Sequence, residues 1–216
     1  MINILGICGS PVKESNTELI LREALKAVEQ DGVKIDIFTV QGKRIEDCRQ
    51  CNWCVGKQDA GNFCAVKDDM EGLFPKVVEA DALMVASPVY LARMSGHLVS
   101  VLDRMRCIHH GKHYAGGLKH KVGAGIAVSW FRNSGIETTL ISIHWAFLTF
   151  QMVIAVPGRM STFGGAGLSS LSGTGEFDPK DKHQVLKDEY GLKTAVATAK
   201  SMVQLARIIK AGKASV

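Results

Sequence analysis

Ile2-Asn3-Ile4-Leu5-Gly6-Ile7-Cys8-Gly9-Ser10-Pro11-Val12-Lys13-Glu14-Ser15-Asn16-Thr17 opens this chain of 216 residues, and its order of residue types decides the fold. The apolar run 2–8 has no basic segment before it and runs straight into a Gly-Ser-Pro turn, so it is read as a first strand and not as a signal peptide. A helix is expected over 17–30, with Leu19, Ala24, Leu25 and Val28 near one face. Between strand and helix lies a loop with hydroxyls at Ser10, Ser15 and Thr17, an amide at Asn16 and a cation at Lys13. Backbone N–H groups at a helix start, together with the helix dipole, suit a phosphate monoester.

Other phosphate loops are excluded by inspection. No G-x-x-x-x-G-K-[ST] is present, and the glycines do not form G-x-G-x-x-G. A cysteine phosphatase using Cys8 would need an arginine six positions on, where Glu14 stands instead. The bland alternative is a helix cap at Ser15 or Asn16 that binds nothing.

Outward from this unit, apolar runs at 33–40, 82–87, 122–129 and 152–156 continue the pattern, with helices expected over 70–80, 96–106, 135–150 and 188–210. Strands alternating with helices argue for an α/β fold with a parallel sheet covered on both faces. Ligands of such sheets collect outside the carboxyl ends of the strands, at the switch point. Pro88, Val89, Tyr90 and Leu91 follow the third strand there, and Ser129, Trp130, Asn133 and Gly135 follow the fourth. A phosphate at the first loop and a flat ring between the other two describe flavin mononucleotide (FMN).

Residues 41–67 interrupt the alternation and hold Cys48, Cys51 and Cys54, with Cys64 after a gap of nine residues. C-x2-C-x2-C lets a short folded-back loop offer three thiolates to adjacent corners of a [4Fe-4S] cluster. Structural zinc favours two separated pairs. Spacing constrains ligands and not the metal, so cluster, zinc and a free thiol set all stay open. A second long segment, 157–182, is rich in Gly and Ser; loops of this length in a compact domain are usually functional.

Composition bounds the function further. A hydrophobic content of 46% and a net charge of +5 describe a chain able to bury one core, expected as a single domain over 1–216. No aromatic-interleaved basic stripe speaks for nucleic acid, and the apolar run 145–156 is too short and interrupted to span a bilayer. Six cysteines without an export signal fit a reducing cytoplasm. His109, His110, His113 and His120 around Lys112 are read as a solvated loop near the ring, and His144 as a satisfied core histidine. Asp68 and Asp69 are read as helix caps, and Asp103 and Arg104 as a subunit contact or surface ion pair.

The chain resembles the iron-sulfur flavoproteins of the flavodoxin-like NAD(P)H-dependent FMN reductase superfamily. The likeness is carried by Gly9-Ser10-Pro11 with Ser15-Asn16-Thr17, the four cysteines followed by Asp68-Asp69-Met70, Ala80-Asp81, Ser87-Pro88-Val89-Tyr90, Asp103-Arg104 and Gly135-Ile136-Glu137-Thr138-Thr139. It implies a doubly wound five-stranded parallel sheet of order 2-1-3-4-5. It implies FMN phosphate at Ser10 to Thr17, the ring at Pro88 to Leu91 and Ser129 to Gly135, and homodimers or homotetramers in which a cluster on one subunit approaches flavin on another. Val12 stands where the family carries a basic residue.

The activity so implied is an FMN-dependent oxidoreductase converting two-electron into one-electron transfer. Its donor would be NAD(P)H or a ferredoxin-type protein, its acceptor a small molecule, and no catalytic side chain is required. A cluster-free FMN or quinone reductase and a non-catalytic thiol or zinc sensor are the alternatives.

Overall fold

In the computed structural model, residues 1–214 are described. In chain order the elements are β1 (Ile2–Cys8), α1 (Asn16–Lys26), β2 (Val33–Thr39), α2 (Trp53–Gly56), α3 (Phe74–Glu79), β3 (Ala82–Tyr90), β4 (Arg93–Met94), α4 (Gly96–Arg104), α5 (Arg106–His109), β5 (Val122–Ser129), α6 (Ile136–Thr149), β6 (Val153–Ala155), β7 (Gly165–Leu168) and α7 (Glu189–Ala214). The sheet runs β2-β1-β3-β5-β6, all parallel. Counted over the five strands expected from sequence, this is the order 2-1-3-4-5.

The central strands are buried on both faces because nothing charged interrupts them. Every residue of β5 is buried, as are the first six of β3. One core packs β1, β3 and β5 against α1 and α7, through residues such as Ile4, Leu21, Met84, Ile126 and Met202. The other lies under α3, α4 and α6, with Leu73, Phe74, Leu98, Ile143 and Phe147. Cys54 and Phe63 belong to this second core, so the cysteine segment is packed on one face of the sheet.

Several boundaries differ from expectation, each for a local reason. The sheet has seven strands because β3 continues past Pro88, pairs with β4 as a hairpin, and β7 joins β5. The fifth sheet position is therefore filled twice. β6 pairs with 122–124 and stops before Pro157, which has no N–H to donate, and β7 pairs with 126–129. The helix expected over 70–80 is divided into a single tight turn at Asp69–Gly72 and α3, where Pro75 occupies the first turn. The helix expected over 96–106 breaks at Met105 into α4 and α5, and that over 17–30 ends at Lys26.

Candidate functional site

Three loops meet at the carboxyl end of the sheet. Gly9 N–H donates to the Ala86 carbonyl at 2.7 Å, and the Ser95 hydroxyl donates to the Gly9 carbonyl at 2.6 Å. Ser95 N–H donates in turn to Ser87 Oγ at 3.0 Å. A side chain on Gly9 would place Cβ 2.7 Å from that of Leu98, so only glycine lets the first loop pass so close to α4.

Within the first loop, Ser15 Oγ accepts from Glu18 N–H at 3.2 Å and caps α1. Ser10 Oγ accepts from Val12 N–H at 3.3 Å. Ser10 Oγ, accepting with one lone pair, keeps a proton to donate. Val12, Lys13 and Glu14 form the exposed tip, and Glu14 holds left-handed backbone at φ +49°. Thr17 is buried. Asn16 is spent elsewhere: its amide bonds the backbone of Lys182 and Val185.

The second loop is the β3–β4 hairpin tip. Leu91 and Ala92 both hold positive φ, +49° and +60°, which is strained for side chains other than Gly, Asn or Asp. Leu91 is 92% exposed there. The tip rests on the start of α6, where Thr138 Oγ1 donates to the Ala92 carbonyl at 2.6 Å. Val89 packs against Ile136 and Leu140 of the same helix.

The third loop follows β5. Ser129 is buried and bonds Ser134 Oγ at 2.6 Å and the Phe131 carbonyl at 2.7 Å, so it shapes the loop. Trp130, half exposed, and Phe131 stand beside one another at 5.8 Å between centroids, while Asn133 is exposed. Phe131 was not singled out from sequence, and neither was the support behind it. Segment 165–175 wraps this loop: Ser169 N–H donates to Ser129 O at 2.8 Å, and Arg132 N–H to Gly173 O at 2.9 Å. Only the length and composition of 157–182 hinted at that role.

The four cysteines gather at the far end of α4. Gln50 and Asn52 flank Cys51 in left-handed backbone, φ +50° and +57°, which folds the loop back on itself. Burial first, then the neighbouring sulfurs of Cys64, Cys48 and Cys51, push the Cys54 thiol above its usual range, with Arg106 opposing. Arg106 Nη1 lies 3.8 Å from Cys54 Sγ. Among the described residues, no three His, Cys, Asp or Glu side chains are grouped closely enough to hold a metal ion as placed. The sulfurs are neighbours and not a finished cage. Their chemistry nonetheless suits an anionic thiolate-ligated cluster, because two guanidiniums, Arg104 and Arg106, stand against them.

Arg104 is buried and not at the surface. It forms an ion pair with Asp68 at 2.8 Å, the two side chains being 1% and 0% exposed. Its other bonds go to the carbonyls of Glu46 and Val66, on either side of the cysteines. Asp68 does cap the turn after it, accepting from Met70 N–H at 3.1 Å, but it also accepts from Glu46 N–H at 2.8 Å. Burial would raise its carboxyl; the bonds from Arg104, Glu46 and Met70 overcome this and hold it below the usual range.

The histidine-rich stretch packs over the cysteine segment. Lys112 N–H donates to Cys54 O at 2.8 Å, and Gln58 accepts from the N–H groups of His113 and Tyr114. His109 and Arg106 line a cavity of about 340 Å³ together with Cys48, Asp103 and Phe150. His144 is buried in α6, but its Nε2 has no partner, so it is not the satisfied core histidine expected.

This arrangement has a counterpart in sequence. Residues 2–163 match the NADPH-dependent FMN reductase family. The chain belongs to that family. Within it, the chain falls among the iron-sulfur flavoproteins: it is 33% identical to one from Methanocaldococcus jannaschii over 97% of this chain and 100% of the relative. Iron-sulfur flavoproteins of Archaeoglobus fulgidus and Methanosarcina thermophila are 32% and 31% identical, covering 94% and 97% of this chain and 96% and 97% of theirs. This family member is a flavin-dependent oxidoreductase on a flavodoxin-like fold. Among solved structures, RosB with bound 8-demethyl-8-formylriboflavin-5'-phosphate superposes with a TM-score of 0.73 at 15% identity, over 98% of this chain and 81% of that one. A WrbA-like flavodoxin from Agrobacterium tumefaciens gives 0.59 at 14% identity, over 98% and 99%. Among the described residues no helix is long and apolar enough to cross a membrane.

Proposed function

We propose that this chain is an FMN-dependent electron-transfer oxidoreductase in which Cys48, Cys51, Cys54 and Cys64 hold a [4Fe-4S] cluster. The observation that carries the cluster is the folded-back loop itself, with Cys54 in electrostatic reach of the other three sulfurs and of Arg106. FMN would supply hydride chemistry and the cluster single electrons, which couples two-electron to one-electron transfer. The whole chain serves as one FMN-binding unit, with residues 41–67 as a cysteine-bearing insertion.

The phosphate is assigned to Ser10, Lys13, Ser15 and the backbone N–H groups of Asn16 and Thr17 at the start of α1. The ring is assigned to Pro88, Val89, Tyr90 and Leu91 on one side and to Trp130, Asn133 and Gly135 on the other, with Ser129 shaping that loop. Their task is to bind, orient and exclude water.

Ser95, beside the first loop, and Arg104, beside the cysteines, stand at opposite ends of α4, about 13 Å of helix. Electron exchange between subunits of a homodimer or homotetramer is part of the same proposal. The proposed donor is NAD(P)H or a ferredoxin-type protein and the acceptor a small molecule, in the cytoplasm, with neither nucleic acid nor membrane as partner.

Anaerobic purification with iron, sulfide, zinc and flavin assays tests this. Four irons and sulfides per FMN are expected, in the ratio of the assigned cluster. Flavin without iron would leave a cluster-free reductase, and zinc without flavin a sensor.

A further inference from the structure

The cavity of about 340 Å³ beside Cys48 has no part in the proposed flavin site, which lies at the other end of α4. It is set between α4, α5 and the end of α6, and its walls are of two kinds. Leu102, Ala146 and Phe150 make an apolar side, and Asp103, Arg106 and His109 a polar one. An apolar hollow with a few convergent polar groups is the usual form of a small-molecule site, and this one falls at the lower end of their range, about 300–1,000 Å³. It suits a single flat headgroup and not a dinucleotide.

The polar groups are not spent on one another. Asp103 and Arg106 are close in sequence, yet among the described residues no ion pair joins them and no hydrogen bond reaches the Asp103 carboxylate. Arg106 Nη2 donates to Asn52 Oδ1 at 2.8 Å and Nη1 reaches Cys54 sulfur at 3.8 Å, which leaves its Nε–H unused. The His109 ring stands 5.6 Å from that of Phe150, and its buried Nδ1 has no partner. An inorganic anion would suit Arg106 but face the Asp103 carboxylate, and a cation would meet the reverse. A hydrocarbon would leave all these groups unmatched. A flat ring with oxygens at its edge meets every requirement at once.

We infer that this cavity binds the headgroup of a quinone: a ring carbonyl accepts from Arg106, Leu102, Ala146 and Phe150 cover the ring, and the hydroxyl of the quinol form donates to Asp103. The inference names the class of the small-molecule acceptor, and it rests on the proposed function for that role alone.

The test uses the full chain, purified anaerobically with its FMN, and duroquinone as the probe. Every ring position of duroquinone is substituted, so a cysteine thiol cannot add to it. Equilibrium dialysis gives its Kd for wild type, Arg106→Gln and Thr149→Trp. Thr149 is exposed at the last position of α6 and lines the cavity, so an indole there can fill the hollow without entering the core. Thr149→Trp should weaken duroquinone at least tenfold. Arg106→Gln should weaken it about tenfold, the size of one charge-assisted hydrogen bond. FMN affinity should hold in both.

Three results overturn the inference: no binding to wild type, a Kd unchanged in Thr149→Trp, which would place the quinone elsewhere, and displacement of duroquinone by sulfate, which would make the cavity an anion site. Iron assayed on the same samples separates this outcome from that of the cluster. Duroquinone held by iron-free protein and lost in both variants upholds the cavity while removing the cluster reading.

Discussion

Asn16 and Val185 are joined across 169 positions of sequence: the Val185 N–H donates to Asn16 Oδ1 at 3.0 Å. The other end of the same amide donates to the Lys182 carbonyl at 2.8 Å. The first helical residue after the proposed phosphate loop thus anchors the chain that leads into α7. Asn16→Ala should cost about 1–2 kcal/mol, as two hydrogen bonds are lost. Thermal unfolding measures the loss, and amide exchange should speed up over 182–187 while the core of β5 stays protected.

How far the sequence carried is visible in the same two residues. The strand Ile2–Cys8, the loop and the start of α1 were legible because burial on both faces writes a continuous apolar run, and the hydroxyl-rich turn is local. The partner of Asn16 was not legible, because pairing across 169 positions leaves no spacing to read. The same holds at the cysteines. The folded-back loop there was written in the spacing, whereas Asp103 and Arg104 were read as a subunit contact or surface ion pair. The burial of Arg104 depends on Asp68, Glu46 and Val66 arriving from another part of the chain. The histidine stretch is solvated as expected, with His110, His113 and His120 exposed, but that Gln58, a single unremarkable residue in sequence, ties it to the cysteine segment was not legible.

Gly135 begins α6 at φ +110°, and a Cβ there would stand 2.4 Å from the Cα of Ala92. Both the dihedral and the space require glycine. Gly135→Ala should push the hairpin tip away from the Trp130 loop and weaken FMN binding at least tenfold, with a stability loss of about 1–3 kcal/mol from the strained backbone. Flavin fluorescence titration and thermal unfolding give the two numbers. FMN affinity equal to wild type would remove the hairpin tip from the ring site.

Gln58 spends its whole bonding capacity on backbone. Its Nε2 donates to Phe63 O at 2.9 Å and Cys107 O at 2.8 Å, and its Oε1 accepts from the N–H groups of His113 and Tyr114. Gln58→Leu keeps the volume but leaves four polar groups unmatched beside the cysteines, at a cost of about 3 kcal/mol after relaxation. Iron should be lost to a chelator at least several-fold faster than from wild type, while FMN affinity holds. Equal rates of iron loss would mean that the cysteine loop keeps its shape without this staple.

Cys8, at the end of β1, makes a pH-dependent contribution that can be isolated. It is fully buried, and burial pushes its thiol up from 9.0 to about 11, with hydrogen bonding from Ser10, Ser15 and Thr39 opposing and the Glu18 charge adding to the rise. Between pH 9 and 11 the folded chain holds a proton that the unfolded chain has lost. Stability from this group is therefore complete below pH 9 and drains away as pH rises through 11. The full span is about 3 kcal/mol at most. Lys121 tilts the other way over an overlapping range, since burial brings its ammonium down to about 8, so the wild-type curve alone does not separate them. The difference between wild type and Cys8→Ala does, because Lys121 contributes equally to both. Urea unfolding from pH 8 to 11 should show the two curves converging as pH rises, Cys8→Ala being less stable at pH 8 through its lost packing and closing the gap above pH 9. Parallel curves would mean that the thiol beneath the first loop is open to solvent.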